Sequence, residues 1–209
     1  MRSTLSSITL HSLHLEFETA RYNHIMISQN SKAIIEEISL VFAKSEFSSQ
    51  QEFASAVISA NKIVCAGAGR MGFALRGFSM RLAHLGKQAF MLGDTNVTHT
   101  GPGDLVIIGS GSGETQTIYD LAQTAKTHGA TIATITGNPE SRIGKLSDIK
   151  LIMKAPSATR AIEGFRSVQP MTSLNEQCLA ILLDSIVLDL MFAMNETHDT
   201  MWRRHSNLE

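Results

Sequence analysis

The sequence predicts an α/β domain built on a parallel, doubly wound sheet of five strands with helices on both faces, a flavodoxin-like or Rossmann-like three-layer sandwich. Three observations carry this expectation. Short apolar runs alternate with helical periodicity along residues 62–153, the pattern of a parallel sheet buried on both sides. Gly86 and Gly129 each follow a helical segment and precede an apolar run, where a C′ glycine stops a helix. Two glycine-rich stretches, Gly67-Ala68-Gly69-Arg70-Met71-Gly72 and Ser110-Gly111-Ser112-Gly113-Glu114-Thr115, each fall between a strand and the next helix. Both therefore belong at the carboxyl ends of parallel strands, where open α/β sheets bind ligands.

Taken in order, helical periodicity first occurs over 33–42, and a second helix follows the capping-box pattern Ser49-x-x-Glu52 through Ala60. The alternation then runs strand 62–66, helix 71–85, strand 88–92, strand 104–108, helix 114–128, strand 131–136, a short helix near Ser141, and strand 148–153. A polar connection covers 154–169, a length that compact domains usually reserve for functional loops. A long helix over about 173–194 precedes the C-terminal tail.

Composition narrows the function. With 209 residues, 43% hydrophobic and 18% charged, the chain suits one globular domain with a sizeable core. Its net charge of −1 supplies no general attraction for nucleic acid or an anionic membrane, so neither is an expected partner. Cys65 in a strand and Cys178 in a helix form no disulfide framework and read as small buried apolar residues, with a reducing cytoplasm as the expected compartment. The amino terminus lacks a clean apolar secretion segment, and the most apolar helix, 180–194, is broken by Asp184 and Asp189. No recognisable zinc site, P-loop or nucleophile elbow stands in the sequence. His11 and His14 have helical spacing but no cysteines or HExxH pattern, the Gly109-x-Gly111-x-Gly113 run lacks the P-loop lysine, and no GxSxG elbow occurs.

The chemistry concentrates in Ser110-Gly111-Ser112-Gly113-Glu114-Thr115. A helix N-terminus carries partial positive charge and unpaired N–H donors, glycines admit an anion close to the backbone, and Ser110, Ser112 and Thr115 add hydroxyl donors. Any one of these hydroxyls alone would read as a turn or N-cap; three with two glycines in six residues read as a phosphate cradle. Gly67-x-Gly69-x-x-Gly72 matches the dinucleotide fingerprint, with Asp94 placed where a ribose-binding acid would stand. A dinucleotide has no need of a second hydroxyl-rich anion loop, so one phosphate on a short sugar chain is the better guest.

Five motifs in order then resemble the SIS sugar-isomerase family, and within it the 6-phospho-3-hexuloisomerase branch, from about Ile34 to Glu209. They are Gly67-Ala68-Gly69-Arg70-x-Gly72, Ser79-Met80-Arg81-Leu82-Ala83-His84-Leu85-Gly86, Ser110-Gly111-Ser112-Gly113-Glu114-Thr115, Gln169-Pro170-Met171-x-Ser173-Leu174-x-Glu176-Gln177, and Arg204-His205-x-Asn207-Leu208-Glu209. Met71, Thr172 and Asn175 depart from the branch, which usually carries serine, glycine and an aromatic residue there. The resemblance implies an N-terminal extension over 1–30 leading into helix, a SIS domain over 31–195, and a tail over 196–209 at a subunit interface of a homotetramer or homodimer. It implies a cofactor-free isomerase of the ribulose monophosphate pathway, which fixes formaldehyde, interconverting D-arabino-hex-3-ulose 6-phosphate and D-fructose 6-phosphate in functional coupling with 3-hexulose-6-phosphate synthase. An arabinose 5-phosphate isomerase of the same fold, a sugar-phosphate sensor and a nicotinamide dehydrogenase stay open beside it.

The resemblance also distributes roles. Glu176 is the expected base, although Ser173-x-x-Glu176 is equally a capping box in which the carboxylate only satisfies a backbone N–H. His84 and His205 are expected to assist from within the chain or across a subunit boundary, against a structural histidine and a solvated basic tail. Gly69 and Arg70 join Ser110, Gly111, Ser112, Gly113 and Thr115 around the phosphate. Arg76 and Arg81 read as surface or interface charges.

Overall fold

The computed structural model describes residues 27–156 and 165–208. His11 and His14, and nearly all of the expected extension over 1–30, lie outside them. The chain divides between Glu36 and Glu37, and the sheet and the site belong to the unit Glu37–Glu209. The elements are α1 (Ile27–Lys44), α2 (Gln50–Ser59), β1 (Ile63–Gly67), α3 (Gly69–His84), β2 (Ala89–Met91), β3 (Leu105–Gly109), α4 (Gln116–Thr127), β4 (Thr131–Thr136), α5 (Arg142–Leu146), β5 (Ile149–Ile152), α6 (Ser173–Ala193) and α7 (His198–Trp202).

The five strands pair in parallel in the order β2-β1-β3-β4-β5. This is the flavodoxin-like order, and its topological switch point lies between β1 and β3. Alternation along each strand splits the core in two. Ile63, Cys65, Leu105, Ile107, Ile135 and Leu151 share one apolar cluster with Phe53 of α2, Leu75 and Leu82 of α3, and Leu179 and Leu183 of α6. Val106, Ile108 and Ile132 share the other with Ile118, Ala122 and Ala125 of α4 and Ile143 of α5. Each fully buried Leu or Ile contributes about 1.5–3 kcal/mol, so the period-2 pattern fixes which helix covers which face.

Helix ends follow the glycines. Gly86 and Gly129 have φ of +84° and +83°. At each, the glycine N–H and the next N–H donate back into the last turn, Gly86 to Ala83 O and Lys87 to Leu82 O, Gly129 to Lys126 O and Ala130 to Ala125 O, the paired bonds of a Schellman motif. Two expectations are corrected. Ser49 stands at the N-cap of α2 but its side chain makes no cap hydrogen bond, so the Ser49/Glu52 capping box does not form. The segment 196–209 is not only a tail: Thr197 caps α7 by accepting from Thr200 N–H, and Arg204 pairs with Glu196 and donates to His84 O at 2.9 Å. Five helical residues are too few for periodicity to register.

Among the described residues no helix is long and apolar enough to cross a membrane. Cys65 and Cys178 are free and buried, and desolvation pushes each thiol up to about 12; for Cys178 the nearby Glu37 charge adds to it. Thiolate is the reactive form, so both cysteines are expected to resist a thiol reagent in folded protein at neutral pH and to react only on unfolding. Stoichiometric labelling before the unfolding transition would contradict this.

Candidate active site

The two glycine-rich turns leave β1 and β3, neighbours at the switch point, and open on one crevice of about 320 Å³. Ala68, Gly69, Arg70 and Met71 line it from the first turn, Gly109, Ser110, Gly111, Ser112 and Thr115 from the second, and Thr172, Asn175 and Glu176 from the start of α6. Its volume is at the lower end of small-molecule sites, about 300–1,000 Å³. A larger hollow of about 940 Å³ lies over Phe47, Gln50, Ile58, Asp189 and Phe192, but no glycine-rich turn opens on it, and volume alone does not locate the chemistry.

Three helices begin at the crevice, and none has a side-chain cap. The N-cap residues of α3, α4 and α6 are Ala68, Thr115 and Thr172, all in the crevice wall and all without a side-chain cap hydrogen bond. By contrast, Ser141 caps α5 by accepting from Gly144 N–H at 3.1 Å. Each helix leaves its first amides without intrahelical partners; in α6 the first of them, Ser173 N–H, is taken by Pro170 O, and the positive dipole ends of all three helices converge on one space.

The hydroxyls of the second turn are oriented by its backbone. Ser110 Oγ accepts from Gly113 N–H at 3.1 Å and Ser112 Oγ accepts from Glu114 N–H at 3.2 Å. A hydroxyl that accepts in this way retains its own O–H for donation. Gly113 has φ of +69°, and a Cβ there would fall 1.9 Å from Ser141 Oγ, so only glycine fits. Gly137 N–H donates to Gly111 O at 3.1 Å and Ile143 N–H to Gly113 O at 3.2 Å, tying the turn to the β4–α5 connection. Behind it Arg142 is bound to Glu114 Oε2 at 2.7 Å and to Gln116 Oε1 at 2.9 Å.

In the first turn the glycines divide their duties. A Cβ on Gly72 would lie 2.5 Å from Gly67 O, so Gly72 permits the close approach of α3 to β1. Gly69, at φ of +56° with nothing near its absent Cβ, turns the chain at the crevice wall. Asp94 accepts from Met91 N–H at 2.9 Å and pairs with Arg76 at 3.0 Å. The fingerprint acid is thus occupied in closing its own turn.

Glu176 occupies the wall beside Arg70. Its Oε2 lies 3.2 Å from Arg70 Nε, its Oε1 accepts from Thr172 Oγ1 at 2.6 Å, and its side chain is 12% exposed against 56% for Arg70. Arg70 Nη1 also donates to Ser173 Oγ at 3.1 Å. The expected Ser173-x-x-Glu176 capping box does not form. The N-cap is Thr172, one residue earlier, and its hydroxyl donates to Glu176 instead of accepting a backbone N–H. Thr172 as the carboxylate's partner was not singled out from sequence, because an N-cap serine or threonine ordinarily points its oxygen at the backbone.

The histidines lie elsewhere. His84 and His205, with ring centroids 5.3 Å apart, line a separate cavity of about 310 Å³ with Arg81, His198 and Trp202. Trp202 stacks on His205 at 4.8 Å, and Arg81 Nη1 is 3.3 Å from His84 Nδ1. Within one chain the fold brings Gly69, Arg70, Ser110, Gly111, Ser112, Thr115 and Glu176 together around one crevice, with Gly113 in the same turn, and does not bring His84 or His205 to it. Histidines 121 residues apart met through the packing of 196–205 against the end of α3, a contact no local pattern encodes.

An α/β domain with amide-rich turns converging at its switch point defines a protein that holds a small anionic ligand. The family model of the SIS domain matches residues 56–183, and the chain belongs to the SIS domain family. It is 39% identical over 158 residues to the 3-hexulose-6-phosphate isomerase of Bacillus subtilis, covering 76% of this chain and 85% of that one. With the 3-hexulose-6-phosphate isomerase of Mycobacterium gastri it shares 34% over 184 residues, covering 88% and 92%. Among solved structures it is similar to a protein of Methanococcus jannaschii for which a molecular function of 3-hexulose-6-phosphate isomerase was inferred. The TM-score is 0.75 with 25% identity, covering 87% of this chain and 99% of that one.

Proposed function

We propose that this protein is a sugar-phosphate isomerase that interconverts D-arabino-hex-3-ulose 6-phosphate and D-fructose 6-phosphate. The observation that carries the reading is the convergence of three uncapped helix starts on a crevice that also holds the Glu176 carboxylate and the Arg70 guanidinium. The names borne by the Bacillus subtilis and Mycobacterium gastri relatives support the choice of substrate.

The substrate phosphate lies against the amides that open α4 and receives the O–H groups of Ser110, Ser112 and Thr115. Binding energy from this non-reacting group orients the carbonyl. Glu176 removes the proton from C2, breaking the C2–H bond as the C3 carbonyl becomes an enediolate oxygen. Arg70 stabilises the developing charge. The proton returns to C3, the hydroxyl proton passes from O2 to O3, and the carbonyl stands at C2. The change is redox-neutral within the molecule. His84 and His205 are not routed into this step.

Replacing Ser112 with Ala removes one hydroxyl donor to the anion while leaving an exposed N–H to water. A hydrogen bond to a charged group is worth about 1.5–3 kcal/mol, so phosphate affinity is expected to fall roughly ten- to a hundred-fold with Tm almost unchanged. Parallel loss of both would make the turn purely structural. Exposed Phe73 on α3 and Leu188 and Phe192 on α6 support assembly as a homodimer or homotetramer. The test of function is a coupled assay with D-arabino-hex-3-ulose 6-phosphate generated in place, following fructose 6-phosphate with chelator present throughout. Turnover supports the reading; its absence in protein stabilised by sugar phosphates favours another substrate or a sensor.

A further inference from the structure

Glu37 lies on α1, with only 9% of its surface exposed. Its carboxylate accepts three hydrogen bonds, all from one short stretch that leads into α6. Ser167 Oγ donates at 2.8 Å and Gln169 Nε2 at 3.0 Å to Oε2, and Val168 N–H donates at 2.7 Å to Oε1. Burial opposes ionisation, yet the donors from Gln169, Val168 and Ser167 outweigh it and hold the carboxyl below its ordinary value.

We propose that Glu37 is a positioning residue for the crevice: it latches 167–169 so that Thr172 meets Glu176. The chain between latch and helix is strained. Met171 has φ of +54°, a conformation costly for a residue with a Cβ, and its side chain is 88% exposed, so no burial of its own holds it there. It is held from both ends. Glu37 grips the stretch before it, while Ser173 N–H donates to Pro170 O at 3.2 Å and Glu176 N–H to Thr172 O at 3.0 Å after it. Without the latch, Met171 relaxes to an ordinary backbone conformation, and Thr172 Oγ1 swings away from Glu176 Oε1. Glu37 thus acts on a carboxylate far along the chain without touching the ligand.

The kinetic arm of the test rests on the isomerase reading; the exchange arm does not. In Glu37→Ala, kcat is expected to fall about tenfold or more, since small misplacement of a reacting group is costly, with KM within about threefold because the phosphate turn is untouched. Amide hydrogen exchange is expected to rise over 167–176 and to stay unchanged over 110–127. Glu37→Gln, which can still accept from Val168 N–H, is expected to recover most of kcat. Should Glu37→Ala fail to fold, Ser167→Ala with Gln169→Ala removes the two side-chain donors and predicts the same split. Wild-type kcat in Glu37→Ala, or exchange that rises equally throughout the chain, overturns the proposal. If the wild type itself has no activity, the isomerase reading fails, and unchanged exchange over 167–176 overturns the latch separately.

Discussion

Replacing Glu176 with Gln is expected to slow turnover by about a hundred-fold or more while phosphate affinity changes only a few-fold. The carboxamide has the shape of the carboxylate and still accepts from Thr172 Oγ1, which now lies 2.6 Å away, but it does not take a proton from carbon. Stability should barely move. The Arg70–Glu176 pair has an arginine that is 56% exposed, and such pairs contribute less than about 1 kcal/mol. No helix cap is lost either, because Glu176 does not serve the backbone at the start of α6. Steady-state rates, phosphate titration and thermal unfolding on one preparation separate these effects. Turnover near that of the wild type would remove Glu176 from the chemistry.

Gly113→Ala is expected to damage both fold and binding. The residue is at φ of +69°, and the new Cβ would stand 1.9 Å from Ser141 Oγ. A left-handed conformation costs a side-chain-bearing residue about 1–2 kcal/mol, and overpacking adds about 1–3 kcal/mol. Nor does Ser141 have freedom to retreat, since its Oγ caps α5 and donates to Asn138 O at 2.6 Å. Denaturant unfolding should show a loss of roughly 2–5 kcal/mol, with phosphate binding abolished in whatever remains folded. A variant that keeps wild-type stability would mean that the turn has a second conformation which accommodates alanine.

Much of this was legible from residue order. The β-branched run of β3, the C′ glycines after α3 and α4, and the glycine-hydroxyl stretch after β3 are local signals, each set by backbone sterics or period-2 burial within a few residues. The dinucleotide fingerprint was legible too, but its physical meaning was not. Gly72 answers to Gly67 O across the β1–α3 crossing, and Asp94 to Arg76 and its own turn, contacts that serve packing. The Ser173/Glu176 pattern misled for a related reason, since spacing cannot tell whether a carboxylate turns toward its own backbone or toward an arginine 106 residues away in the chain.

By itself, then, the sequence determined the doubly wound α/β class, the two turns at strand ends, and the placement of the glycines and hydroxyls of residues 110–115 at a helix start, because those depend on periodicity, glycine conformations and helix starts. Tertiary structure alone decided that Arg70, Thr172 and Glu176 share one wall, that Glu37 latches the approach to α6, and that His84 joins His205 in a different cavity. These pairings cross from 103 to 132 residues of chain in the latch and the arginine contacts, and packing of whole helices on the sheet, not local preference, sets which side chains meet.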